Sequence, residues 1–279
     1  MQIQKTKSKT AYLKELLAHD NQLVAKYKLA EGLLLIGVDE VGRGCLAGPV
    51  CTAAYACSLF HHQNQILLQE IKRSKNVFEL EDLDLDQDNY EELKHLSDLE
   101  FLQDSKQVAK NKRKSLCKAL LDIPIENGYL LHSINFQDAS VIDEIGIVRA
   151  IWKSMSQNII EIYDQYFMQF GTKPQKTIVL VDGPKTIPDE FLNNDFEQIS
   201  IVKGDNKSAS IAAASNLAKE ARDALMQKLS KQYKNYGFEK HVGYGTAKHI
   251  EAIKKFGKSK IHRQSFSLGT APSVSTNPK

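Results

Sequence analysis

Leu33–Gly48 reads LLLIGVDEVGRGCLAG, and this stretch decides the fold. The run from Leu33 to Val38 carries no charge and has the length of a buried strand rather than a helix. It ends in two adjacent carboxylates, Asp39 and Glu40, followed by Gly42-Arg43-Gly44. Open α/β sheets place their sites outside the carboxyl ends of their strands. Neighbouring acids repel, so leaving them there costs stability unless they share a cation or a proton. A solvated turn after a strand would also account for this stretch taken alone.

Working outward, two more short apolar runs end in acids. Thr177–Val181 leads to Asp182-Gly183, and Ile199–Val202 leads to Gly204-Asp205. Val50–Cys57 and Gly128–Phe136 complete a set of five predicted strands. Helices are predicted over 11–31, Lys110–Leu121, a long periodic segment from Ala139 to Phe170, Ser208–Ser230 and Thr246–Phe256; Trp152 reads as core. If the strand order allows, Asp39, Glu40, Asp182 and Asp205 meet at one sheet edge. Oxygen-only donors select hard cations, Mg²⁺ or Mn²⁺, over zinc. Carboxylates holding two such ions about 3.5–4 Å apart are usual equipment for in-line attack on a phosphodiester. Singly, Asp205 also suits the first turn of the helix after it, and Asp182 a turn before Gly183-Pro184.

The 279 residues suffice for one large domain with a sizeable core. No apolar run approaches a membrane span, the N-terminus lacks the apolar region of a secretory signal, and Cys45, Cys51, Cys57 and Cys117 form no CxxC pair. A cytoplasmic protein with buried, reduced thiols is expected. Charge is uneven. Residues 61–103 carry eleven acids against four bases and read as a surface insertion. Asp205–Arg263 carries five acids against thirteen bases, which suits a polyanion such as nucleic acid, or a solvated lysine-rich surface.

DEVGRG at 39–44, DSK at 104–106, VDG at 181–183, GD at 204–205 leading into SIAAASNLAKEARD at 210–223, GYGT at 243–246 and HRQSF at 262–266 resemble bacterial ribonuclease HII in the family's order. The resemblance implies the RNase H-like α/β fold, a five-stranded mixed sheet flanked by helices with a small helical C-terminal part. It implies metal-dependent cleavage of the RNA strand of RNA–DNA hybrids, and of single ribonucleotides embedded in duplex DNA, with Mg²⁺ or Mn²⁺ as cofactor. The family's metal ligands fall on Asp39, Glu40, Asp182 and Asp205, its 2′-hydroxyl-reading loop on Gly42, Arg43 and Gly44, its active-site lysine on Lys106 and its junction-sensing tyrosine on Tyr244. The implied layout is an N-terminal helical extension (1–32), a catalytic domain (33–232), a helical C-terminal part (233–270) and a tail (271–279). A monomer is expected.

Two features depart from the family: Cys45 stands where proline is usual, and 61–103 lengthens the connection to Asp104. Ribonuclease HIII has a lysine in place of the loop arginine, so Arg43 argues against it. Ser105, Lys203, Lys207 and Arg263 are candidates for phosphate contacts or for plain surface; Lys219 and Arg222 read as structural, and His262 as packed or phosphate-contacting. A non-catalytic nucleic-acid-binding module would be expected to lack one of the four acids, and none is missing.

Overall fold

The computed structural model describes residues 8–27, 32–60, 97–123, 128–193 and 195–268. Five strands, β1 Leu33–Val41, β2 Val50–Cys57, β3 Leu130–Gln137, β4 Lys176–Asp182 and β5 Glu197–Ile201, form one sheet in the order β3-β2-β1-β4-β5. β1, β2 and β3 make an antiparallel meander, whereas β4 runs parallel to β1 and β5 parallel to β4. The main helices are α1 Lys9–Ala25, α2 Lys110–Leu121, α3 Ala139–Ile145, α4 Ile147–Phe170, α5 Ala209–Gln232 and α6 Ala247–Phe256.

β1 is central and covered on both faces, which is why its sequence is continuously apolar instead of alternating. Leu34, Ile36 and Val38 pack with Ile151, Met155 and Ile159 of α4. Leu33 and Leu35 pack on the other side with Ile211 of α5. α5 crosses β1 at Gly37 so closely that a Cβ there would lie 2.2 Å from the Ser210 carbonyl carbon. α1 and α2 complete this second layer: Leu13, Leu16, Leu17, Leu116 and Leu120 share one cluster with Ala212, Ala213 and Leu217. α1 is integral to the layer. Its wholly buried Asp20 accepts hydrogen bonds from Ser210 N (2.9 Å) and Ser210 Oγ (2.8 Å), at the helix end where a negative charge is favoured.

The structure departs from the sequence reading in four places, each for a local reason. β1 does not stop at Val38: Asp39 and Glu40 keep their backbone pairing with Ala53 and Thr52 of β2. The periodic segment from 139 to 170 is two helices, because Gly146, at φ 82°, ends α3 and starts α4. Asp205 lies in its own 3₁₀ turn, Gly204–Asn206, while Ser208 caps α5 with its Oγ accepting from Ile211 N. Residues 97–103 belong to the packed body, since Leu99 and Leu102 are buried in the α1–α2–α5 layer. Residues 61–96 of the predicted surface insertion lie outside the described residues. All four cysteines are free and buried. Among the described residues no helix is long and apolar enough to cross a membrane.

Candidate active site

Strand order brings the predicted acids to one end of the sheet. β1 carries Asp39 and Glu40, its parallel neighbour β4 ends at Asp182, and the turn after β5 carries Asp205. They stand close enough that the charge of Asp182 is felt by Asp39, Glu40 and Asp205 alike. Burial, then the charges of Glu40 and Asp182, holds the Asp39 carboxyl well above the usual range. Burial pushes Glu40 up to about 7, against the lowering effect of Arg43, whose Nη1 lies 3.6 Å from Glu40 Oε1. Asp205 is pushed up to about 6 by burial and by Asp104 and Asp182. Their positive neighbours, Arg43 for Glu40 and Lys106 for Asp205, do not offset the burial of these acids.

The backbone pins the acids. Asp39 Oδ1 accepts from Glu40 N at 2.7 Å, and Asp182 Oδ1 accepts from Gly204 N at 2.6 Å. Gly204 packs tightly here: a Cβ would lie 2.5 Å from Ile211 Cδ1, which would have to shift, and 3.2 Å from Asp182 Oδ1. The donor set fits a hard cation in its chemistry: oxygen atoms only, negative, and short of compensating charge. It is not a ready-made cage. Among the described residues no three His, Cys, Asp or Glu side chains are grouped as an ion would require. Strand alternation contributes, since adjacent residues of β1 point to opposite faces, so Asp39 and Glu40 leave the strand on different sides.

Two buried arginines build the glycine loop. Arg263 donates to Gly42 O (2.7 Å), Arg43 O (2.8 Å) and Gly48 O (3.1 Å). Arg222 donates to Ala47 O (3.2 Å), Pro49 O (2.9 Å) and Val242 O (2.9 Å). Burial lowers Arg263 to about 10, and carbonyl oxygens take the place of lost water. Arg263 thus organises the loop and has no surface for a phosphate contact. Gly42, at φ 88°, is required by the chain's own packing, because a Cβ would collide with Arg222 at 2.2 Å. Gly44 is different: a Cβ there would meet nothing within 4 Å, and it and Arg43 face solvent. Cys45 closes the turn with its N–H on Gly42 O at 3.3 Å, a bond that a proline could not make.

The C-terminal part is stitched onto this loop. Cys45 pairs with Tyr244 and Ala47 with His262 in isolated bridges, and Leu46 N donates to Gly243 O at 2.8 Å. Tyr244 is 38% exposed beside the loop. Behind it lies a chain of buried histidines. Ser259 N donates to His262 Nδ1, His262 Nε2 lies 3.1 Å from His249 Nε2, and His249 Nδ1 lies 2.8 Å from Tyr244 O. His262 is packed, lowered by burial to about 4 and so neutral at ordinary pH.

Lys106 is exposed and faces the acids. Burial opposes its charge, but Asp104, Asp39 and Asp205 hold its ammonium above the usual value. Ser105, in contrast, is buried, its Oγ 3.0 Å from Ser215 Oγ. The Ser215 hydroxyl in turn lowers Asp39. Lys203 and Lys207 remain at the surface. Sequence reasoning missed Asp104, a fifth carboxylate at the site, although its DSK motif was in view. It also missed the loop-building role of Arg222 and Arg263, because a buried arginine bound to carbonyls looks like any other in sequence.

The Ribonuclease HII family model matches residues 36–86 and 85–268. The chain belongs to the ribonuclease HII family. It is therefore a ribonuclease H, an endoribonuclease acting on RNA–DNA hybrids. The ribonuclease HII of Acetivibrio thermocellus is 38% identical over 233 residues, covering 84% of this chain and 69% of the relative. That of Caldicellulosiruptor bescii is 38% identical over 239 residues, covering 85% and 89%. Among solved structures, ribonuclease HII of Archaeoglobus fulgidus, determined in complex with PCNA, superposes with a TM-score of 0.53 at 19% identity, over 85% of this chain and 97% of that one. Bst-RNase HIII, determined with Mn²⁺, gives 0.54 at 16% identity, over 88% and 70%. At such identities the two show a shared fold. The family match is split at 85–86, within the acidic stretch, and starts after α1.

Proposed function

We propose that this enzyme hydrolyses the phosphodiester on the 5′ side of a ribonucleotide, lone ribonucleotides in duplex DNA included, with divalent ions held by Asp39, Glu40, Asp182 and Asp205. The observation that carries this reading is the gathering of four oxygen-donor side chains at one sheet edge, three of them held above the usual carboxylate range. Mg²⁺ or Mn²⁺ bound there supplies a lowered pKa for the attacking water and charge relief on the leaving oxygen. The Mn²⁺ complex of Bst-RNase HIII, which shares the fold, supports that choice of ion.

The chain's own groups then bind and orient. Gly42 turns the loop, and Gly44, open to solvent, admits a sugar edge without a Cβ in the way. Arg43 is exposed in that loop and reads the 2′-hydroxyl together with the loop backbone. Lys106 presents its ammonium to a phosphate beside the acids. Tyr244 offers a ring face for stacking on the sugar that follows the ribonucleotide. A long hybrid engages the same loop through successive 2′-hydroxyls, so it depends less on Tyr244. The enzyme acts on these duplexes as a monomer.

The deciding experiment incubates the purified chain with a DNA duplex containing one ribonucleotide and with a continuous hybrid, each with Mg²⁺, with Mn²⁺ and with chelator. Cleavage 5′ to the ribonucleotide with either ion, and none with chelator, is the expected result. Cleavage that survives chelation would remove the ion reading. Tyr244→Ala should depress cleavage at the lone ribonucleotide more than cleavage of the hybrid; equal losses would remove the junction role.

A further inference from the structure

Tyr12, on α1, belongs to a segment outside the region that the family model matches, yet its side chain ends at the catalytic turn. Its hydroxyl lies 3.0 Å from Asn206 Oδ1 and 3.2 Å from Asn206 O. Gln107 Nε2, from the loop that carries Asp104 and Lys106, reaches the same Oδ1 at 3.3 Å. Two donors on that oxygen leave the amide nitrogen of Asn206 turned the other way, and Nδ2 donates to Asp205 Oδ1 at 3.0 Å. The backbone of Asn206 is tied as well, its N–H donating to Lys203 O at 3.1 Å.

We propose that Tyr12 is a positioning residue of the active site: its hydroxyl holds Asn206, and Asn206 holds the carboxylate of Asp205. The inference rests on the reading of Asp205 as an ion ligand. Two features make the hydroxyl a fixed point. Leu13, Leu16 and Leu17 anchor α1 in the core. Asp20 ties the same helix to Ser210 at the start of α5, just past the catalytic turn. Asp205 itself sits in a three-residue 3₁₀ turn, Gly204–Asn206, which follows Lys203 in a left-handed conformation at φ 56°. Outer partners that orient a ligating carboxylate govern how well an ion is held. α1 therefore completes the site from outside the region that the family model matches.

The test is calorimetric titration of the full chain with Mn²⁺ alone, no substrate present, alongside the ion dependence of cleavage. Tyr12→Phe removes the hydroxyl and keeps the ring. It should weaken Mn²⁺ binding about 5-fold, the worth of one neutral hydrogen bond, and raise by the same factor the ion concentration giving half-maximal cleavage. Asn206→Ala should weaken binding at least as much, and adding Tyr12→Phe to it should cost less than Tyr12→Phe costs alone, because the hydroxyl acts mainly through that amide. Wild-type Mn²⁺ affinity in Tyr12→Phe, or a full additive loss in the double variant, would overturn the proposal. Asp205→Asn separates the two failures. If it loses Mn²⁺ while Tyr12→Phe keeps it, the site stands and the relay falls; if it binds Mn²⁺ like wild type, the ligand reading fails and takes the relay with it. Should Tyr12→Phe fold poorly, Asn206→Ala carries the same titration, with wild-type affinity as the overturning result.

Discussion

A carboxylate buried beside two others, as Asp39 is beside Glu40 and Asp182, is a poor anion until something positive meets it. Its position serves chemistry at the expense of stability, and one substitution separates the two. Asp39→Asn keeps the shape and removes the charge. It should lower cleavage roughly 10³-fold while hybrid binding largely survives, because binding uses other groups. In chelator at mildly alkaline pH the same variant should melt above the wild type, as a thermal scan would show. Intact cleavage in Asp39→Asn would refute its assignment as a ligand. Cys45 acts at this scale too: its N–H closes the Gly42–Cys45 turn with a hydrogen bond that a proline there could not make.

Among the elements, the crossing of α5 over β1 sets the site. The helix brings Ser215 to Asp39 and Arg222 to the glycine loop, and it can do so only because Gly37 lets its backbone touch the strand. Gly37→Ala should therefore destabilise by about 3 kcal/mol or more, as an overpacked contact that backbone cannot relieve. Denaturant unfolding at unchanged slope would measure it, and a midpoint equal to wild type would show that α5 can shift. The sequence made β1 and β4 plain, since their apolar runs are local. It did not show that α1 is part of the core, because Asp20 meets Ser210 only once the chain has folded.

For the whole molecule, the clustered acids make stability depend on pH and on ions together. Glu40 at about 7 and Asp205 at about 6 bind protons more tightly in the folded chain than in the unfolded one, where carboxyls titrate near about 4. A raised folded pKa means that their stabilising contribution is complete below about pH 4 and is lost as pH rises through about 6 to 7. His262 works in the opposite sense, since its pKa of about 4 makes its contribution fade below the ordinary histidine range. The gain in melting temperature on adding Mg²⁺ cancels such remote groups. That gain should grow between about pH 5 and about pH 8. A gain that stays flat or shrinks would mean that the acids are not the groups the ion relieves.

What the amino-acid order determined by itself was local or repeated along the chain: buried strands from uncharged runs, an acid after three of them, and motifs spaced as in the ribonuclease HII family. What only the tertiary structure decided were relations between distant segments. Arg263 reads as a candidate phosphate contact until its guanidinium is seen spent on the carbonyls of Gly42, Arg43 and Gly48. Leu99 and Leu102 read as the end of an acidic insertion until they are found in the core. Nothing in the sequence singles out Asn206, on whose amide Tyr12 and Gln107 meet. Hydrophobic period and charge are properties of neighbours in sequence, whereas a hydrogen-bond partner is set by which surfaces the packing brings together.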